Sequence, residues 1–381
     1  MLFLSVPAAR AGDQDAMKAA EQLRSSVLSD LVSRFDRLLA DEKDYTRKVR
    51  RECKGFPEGD LFPFTFPVLA YAALISRGGA ADPGRIESMV WLLEQARQAV
   101  LKRVKPPDNN LMKLDSYGGE AVYLCQYHLA LSAFRVATGD KRFDEVLHHV
   151  AEVLLGALKK TRGQPLESFP GIVYPFDTLP CLASMNLYAK ATSNSDLRPY
   201  IEEHLHWIIA RGMDKKTGLP ASKVDRKTYA RLAPPRGCDL SYRVALTAGI
   251  QRSEAIRVYK PYVKHFWKEL LVAAGFAEWP DDRQGKADSD SGPIIMGLGM
   301  AASGFGLAAT RLMGDGPRFL RLMKQLVDVR RMVQTLQSPE RGGKPALLGN
   351  SIAVRPGYYT GFLFGDCALF FALAWSDKLV P

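Results

Sequence analysis

Six acidic residues each stand where a polar loop gives way to a long apolar stretch: Asp60, Glu120, Asp177, Asp239, Asp290 and Asp366. The steps between them are 60, 57, 62, 51 and 76 residues. Carboxylates brought into one cavity push each other's pKa values apart, which supplies an acid and a base from one residue type. A protonated carboxyl can then donate to a leaving oxygen while a second carboxylate activates water or stabilises positive charge. That is the chemistry of glycosidic-bond cleavage. Aromatic side chains, which pack well on sugar faces, accompany the acids of the middle junctions. The second junction reads Asp115-Ser-Tyr117-Gly-Gly-Glu120, and the third reads Tyr174-Pro-Phe-Asp177. The fourth reads Gly237-Cys-Asp239-Leu-Ser-Tyr242, and the fifth carries Glu278-Trp279 and Asp288-Ser-Asp290-Ser-Gly-Pro293. The candidate catalytic residues are therefore Asp177, Asp239 and Asp290, with Glu120 and Asp288 as alternates. Tyr117, Tyr174, Tyr242 and Trp279 are the candidate substrate-binding residues.

Any one of these acids also has a structural explanation. Asp is a favoured helix N-cap, and a cap contributes about 1 kcal/mol. Asp60 and Asp366 read as ordinary caps; the case for chemistry rests on the collection. Other motifs lead nowhere. Gly297-Leu-Gly299-Met-Ala-Ala has no preceding strand, so the glycines read as close helix packing instead of a dinucleotide loop. Asp288-Ser-Asp290 lacks the further acids of a calcium loop. His204 and His206, like His148 and His149, diverge on a helix, and His128 reads as a hydrogen-bonded core residue. No cofactor or metal is called for.

A period near sixty residues suits an inner helix, a turn, an outer helix and a loop. Amphipathic outer segments are predicted over 16–44, 84–104, 141–160, 196–212, 253–273 and 316–336. Segments apolar nearly all round, as for helices packed on both sides, are predicted over 62–77, 117–138, 175–192, 239–251, 291–313 and 359–376. Short turns such as Ala137-Thr-Gly-Asp-Lys-Arg-Phe143 and Arg311-Leu-Met-Gly-Asp-Gly-Pro317 pair a glycine stop with an Asp cap, making consecutive helices antiparallel neighbours. Longer loops at 161–175, 213–238, 274–292 and 337–358 gather on the other face, with short strand pairs near 172–174 and 214–219 as decoration. Six such units predict an all-α fold, an (α/α)6 barrel, whose junction acids meet at one end.

The chain of 381 residues is 47% hydrophobic and 24% charged, enough for a large core. No linker or charge run divides it, so residues 12–381 are expected to form a single domain. The net charge of +11 is dispersed in short groups without a nucleic-acid motif, and nucleic acid is not an expected partner. The five cysteines are odd in number and widely spaced, against a disulfide framework. No segment is long and apolar enough to span a membrane; the run Ile294–Ala309 reads as a buried helix. The start, through Ala9-Arg10-Ala11, resembles the back half of a secretory signal, so residues 1–11 are an expected leader remnant and the protein is expected to be exported, to a periplasm.

With these junctions the chain resembles the six-hairpin (α/α)6-barrel superfamily over about residues 16–376, which contains many glycoside hydrolases and some lyases and epimerases. Within it, Tyr174-Pro-Phe-Asp177, Asp288-Ser-Asp-Ser-Gly-Pro293 and Ser303-Gly-Phe-Gly look like domains of the linalool dehydratase/isomerase type. That resemblance implies acid/base work, including cysteines, on a terpene alcohol; Cys181 and Cys238 are the thiols near junctions. Three functions follow as expectations. The first is an exported enzyme cleaving glycosidic bonds, with an open groove and exposed Trp279. The second is a dehydratase or isomerase on a small alcohol, with Cys181 or Cys238 facing a closed apolar cavity. The third is a glycan- or protein-binding module without catalysis.

Overall fold

The computed structural model describes residues 11–56, 58–79, 81–280, 285–289, 291–336, 346–348, 352–354, 358–376 and 379. Asp290 and the expected leader up to Arg10 lie outside the described residues.

The apolar stretches become an inner ring of helices: α3 (Phe62–Ser76), α5 (Ala121–Thr138), α7 (Thr178–Thr192), α9 (Gly237–Ile250), α11 (Met300–Met313) and α13 (Leu363–Ala374). Each packs on the next, and α13 packs on α3, so the ring closes. The amphipathic segments become the outer layer: α4 (Pro83–Val104), α6 (Asp144–Thr161), α8 (Arg198–Ala210), α10 (Arg252–Phe266) and α12 (Gly316–Leu336). The sixth outer position is filled from the front of the chain by α1 (Ala11–Leu39), which packs on α12 and α13. Arg24 Nη1 donates to the Leu373 carbonyl at 3.0 Å, and Arg34 Nη1 meets Asp366 Oδ2 at 3.3 Å. The predicted 16–44 helix is therefore two: α1 and α2 (Glu42–Glu52), separated where Asp41 caps α2 through the Asp44 N–H. The all-α, (α/α)6-barrel expectation holds.

Local chemistry explains the helix ends. Gly139 (φ 71°) and Gly314 (φ 76°) take the left-handed conformation that stops α5 and α11. Asp140 and Asp315 then accept backbone N–H groups of Arg142 and Arg318 as the chain turns. One irregularity is compensated at a distance. Pro67 lies inside α3 and has no N–H to offer the Pro63 carbonyl. The buried Tyr45 hydroxyl of α2 donates to that carbonyl at 2.7 Å instead.

The barrel axis is filled, not hollow. Phe66, Tyr242, Phe305 and Phe371, from α3, α9, α11 and α13, contact one another edge-on or stacked, with centroids 5.2–6.4 Å apart. Burial of such a ring contributes about 1.5–3 kcal/mol each. They lie about one to two helical turns below the inner-helix N-termini, at 1.5 Å per residue. The plug therefore floors whatever site the mouth holds.

Two expectations about the fifth unit are corrected. The outer helix predicted to 273 ends at Phe266, and the chain turns into an antiparallel pair, β1 (Trp267–Glu269) and β2 (Ala274–Phe276). The run Ile294–Ala309 is not one buried helix. Its start is a tight hairpin, β3 (Ile294–Ile295) and β4 (Leu298–Gly299), turned by Met296 and Gly297, both at positive φ, and only Met300 onward is helical. Gly297 thus serves a turn, whereas Gly306 within α11 permits close packing: a Cβ there would fall 2.6 Å from the Phe276 ring. The remaining strands are short, β5 (Ala346–Leu348) pairing with β6 (Ile352–Val354).

Candidate functional site

Because every outer helix returns antiparallel, all six inner helices point the same way and their N-termini share one end. Glu120 and Asp177 are the N-cap residues of the neighbouring helices α5 and α7. Neither side chain makes a capping hydrogen bond. For these two acids the structural explanation available from sequence does not apply. Asp177 is only 7% exposed. Around it gather Tyr117, Tyr242 and Cys125: burial chiefly, then the Asp177 charge among nearby groups, pushes the two phenols and the thiol up. Cys181 of α7 adjoins Cys125 of α5 and adds to the upward push on that thiol. The Tyr242 hydroxyl donates to Gln126 Oε1 at 3.0 Å, and Gln126 Nε2 donates to Thr65 Oγ1 at 3.2 Å, so a polar chain crosses the aromatic floor.

The loop 161–175 braces this corner. The Glu167 carbonyl accepts from the Ala121 N–H at 3.1 Å and from the Tyr117 hydroxyl, which satisfies the start of α5 without using Glu120. The Glu120 carboxylate instead receives Arg103 Nε at 3.2 Å. Burial pushes its carboxyl up, and Arg103 only partly opposes this. A raised carboxyl and a buried one thus stand at the starts of adjacent inner helices, and carboxyls in unlike environments are what acid/base chemistry uses.

The other expected acids separate from this pair. Asp239 is buried in the first turn of α9 and holds Arg243 of the same helix through two bonds, 2.9 and 3.1 Å. Arg243, also buried, reaches the Ile208 carbonyl of α8, so the pair faces the outer layer. Asp239 is thereby held by Arg243 within its own helix. Asp366 is not the N-cap of α13, which is Phe362; from the first turn it accepts the N–H groups of Tyr359 and Thr360, each at 2.7 Å, and braces the loop before the helix. Asp60 accepts from the Tyr123 hydroxyl at 3.0 Å. Asp290 lies outside the described residues.

At the fifth junction the organising acid is one the period does not pick out. Glu278 is fully buried; its Oε1 accepts from Arg236 Nε at 2.8 Å and from Cys238 Sγ at 3.1 Å, and its Oε2 accepts from the Cys238 N–H at 3.1 Å. It caps α9 from outside that helix, so no spacing within α9 could reveal it. Burial pushes the Glu278 carboxyl up, against Arg236. Arg236 also donates to Asp288 Oδ1 at 2.7 Å and lies 5.2 Å over the Trp279 ring. Trp279 is half-buried, and a Cβ on Gly285 would meet its indole at 2.1 Å. The exposed Trp279 expected for an open groove is instead half-buried, with Arg236 over its ring and Gly285 close against its indole. Gly237, the first residue of α9, is locked against this network: its N–H donates to the Glu278 carbonyl at 2.9 Å, and a Cβ there would sit 2.0 Å from the Ala277 oxygen. Gly237→Ala is expected to cost about 1–3 kcal/mol. Urea unfolding checks this, and an unchanged midpoint would contradict the packing described.

Tyr174 lies at the rim, with Lys223 Nζ 5.6 Å over its ring. His128 is a core residue as expected: Nδ1 contacts Ser184 Oγ at 2.8 Å, Nε2 contacts the Leu147 carbonyl at 3.2 Å, and burial lowers its pKa to about 3. All five cysteines are free thiols. Among the described residues no cluster of His, Cys, Asp or Glu could hold a metal ion, and no helix is long and apolar enough to cross a membrane.

No protein-family profile and no curated protein matches the sequence. Solved structures do match its fold. An alpha-1,6-mannanase of Salegentibacter sp. HEL1_6 superposes with TM-score 0.51 at 10% identity, covering 83% of this chain and 89% of that one. An inactive variant of that mannanase, in complex with alpha-1,6-mannotetrose, gives 0.50 at 12% identity, covering 83% and 88%. A D-mannose isomerase gives 0.50 at 9% identity, covering 81% and 86%. At these identities the likeness shows the barrel alone. The fold expected from the sequence resemblance, the (α/α)6 barrel, is matched by these neighbours; the dehydratase/isomerase part rests on the sequence motifs only.

Proposed function

We propose that the chain is a glycoside hydrolase-like enzyme that cleaves a glycan with Glu120 and Asp177 as its carboxylates. The observation that carries this reading is the pair of N-cap acids on adjacent inner helices that do not cap. Both stand at the barrel end where the N-termini converge, over an aromatic floor, with Tyr117 and Tyr242 at hand. Glu120, its carboxyl raised by burial, is the proton donor; Asp177 is the base or nucleophile. The mannanase neighbours lend support, since one is in complex with an alpha-1,6-linked mannan fragment. The first substrates to try are therefore alpha-1,6-linked manno-oligosaccharides within a wider oligosaccharide panel, with reducing-end release as the readout.

A proton donor works only while protonated. With its pKa above the ordinary carboxyl value, Glu120 keeps activity present below that raised pKa, and activity is lost as pH rises through it. Glu120→Gln is expected to lower kcat by about 100-fold or more and to remove the alkaline limb of the profile. The same limb persisting in Glu120→Gln would reassign the donor.

A second reading is favoured by one observation, the Cys125–Cys181 thiol pair under Asp177. It is an isomerase or hydro-lyase acting on a small hydroxylated molecule, and the D-mannose isomerase neighbour fits it. Turnover of aldoses or small alcohols, with no glycan cleaved, would select it. Binding of a glycan without turnover, unchanged in Asp177→Asn, would select a binding module.

A further inference from the structure

Away from the acids, the mouth carries the opposite charge. Between α1, the end of α12 and the segment leading into α13 lies a cleft of about 400 Å³, lined by Asp30, Ser33, Arg34, Arg37, Arg330 and Tyr359. Three guanidinium groups from two helices face one carboxylate there. Arg330 is aimed by neutral partners: Nη1 donates to the Tyr358 carbonyl at 3.1 Å, and its guanidinium lies 4.5 Å over the Tyr359 ring. Arg34 lies 5.7 Å over the Tyr358 ring and shares Asp366, whose oxygens already accept from Tyr359, Thr360 and the Thr360 hydroxyl. Among the described residues neither Arg37 nor Arg330 has a carboxylate within ion-pair distance. The crowding is felt: Arg34 is pushed below its usual value by burial first and then by Arg330 and Arg37, although Asp366 opposes this.

We propose that this cleft binds a compact oxyanion, a phosphate or sulfate group, free or carried on a sugar. Arginine forks match such oxygens with paired charge-assisted hydrogen bonds. The Ser33 hydroxyl in the cleft can add another donor. Two carboxylates, Asp30 and Asp366, stand against the three arginines, and the bound anion adds the further negative charge that relieves their repulsion. The cleft is wide enough for a monosaccharide behind the anion. Tyr359 and Thr360 are tied to the first turn of α13, which places the anion at the rim of the same mouth as Glu120 and Asp177. The proposal does not depend on the glycosidase reading.

Calorimetric titration of the full chain at low ionic strength tests it, with inorganic phosphate, sulfate, glucose 6-phosphate and glucose as probes. Phosphate or sulfate is expected to bind with one site per chain, and glucose is not. Arg37→Gln combined with Arg330→Gln is expected to weaken binding about tenfold or more, since each change removes a charge-assisted donor from the anion. Arg37 is exposed and Arg330 makes no ion pair, so circular dichroism should report an intact fold. Tighter binding of glucose 6-phosphate than of phosphate identifies a sugar phosphate as the occupant; equal binding identifies the free anion. No binding of any of the three anions, or affinities unchanged in the double variant, overturns the proposal. Glycan turnover is read separately because neither Glu120 nor Asp177 is altered.

Discussion

Asp177→Asn is expected to lower kcat on a cleaved glycan by about 100- to 10,000-fold, the range for loss of a positioned acid or base. The substitution keeps the size of a nearly buried side chain and removes only its charge and its basicity. Because Asp177 makes no capping bond to α7, the helix does not depend on it for a start. The fold should therefore survive, and circular dichroism would show this beside the kinetics. Loss of the charge should also relax the nearby phenols, so Tyr117 and Tyr242 should titrate less far above their ordinary values. Full turnover in Asp177→Asn would remove Asp177 from the chemistry. Loss of turnover together with loss of the fold would assign Asp177 to structure instead.

The second large effect is expected at the buried pair of α9. Asp239→Leu leaves Arg243 charged and without its two bonds in a place where both side chains are essentially inaccessible to water. Breaking one half of a buried ion pair costs about 3–5 kcal/mol, whereas replacing both halves with apolar groups of similar volume is often neutral. Asp239→Leu alone should therefore show a sharply reduced urea midpoint, and the combination with Arg243→Met should recover most of it. If the single variant is as stable as the parent, Arg243 has another partner and the pair is not what holds α9 to α8. The comparison also separates Asp239 from catalysis, because the recovered double variant should retain turnover if Glu120 and Asp177 do the chemistry.

The two acids illustrate how far residue order alone can be read. The sixty-residue rhythm was legible because six inner helices need six apolar stretches, and burial on all sides leaves a strong compositional mark. The glycine stops and Asp turns at Gly139 and Gly314 were legible because their conformation restricts residue choice. Asp239 and Asp177 look alike at this level, yet one has Arg243 four residues on, a helical spacing that points to its partner. Glu278 stayed hidden because its role is to cap a helix that begins forty residues earlier, a relation only the folded chain creates. The β3–β4 hairpin stayed hidden because Ile294–Gly299 is as apolar as the helix it precedes, and the deciding feature is the sign of φ at Gly297.

The way α1 completes the sixth helix pair has a consequence for how the chain is made. α1 is synthesised well before two neighbours it packs on, α12 and α13; the Arg24–Leu373 bond spans 349 positions. Until then its apolar stripe, Val27, Leu28, Leu31 and Phe35 among others, has no permanent cover. Ring closure is thus the most non-local event in assembly and the natural slow step, since distant contacts must repay their chain entropy late. An emerging chain would carry that helix without these partners until the ring closes, and apolar surface exposed for so long favours aggregation.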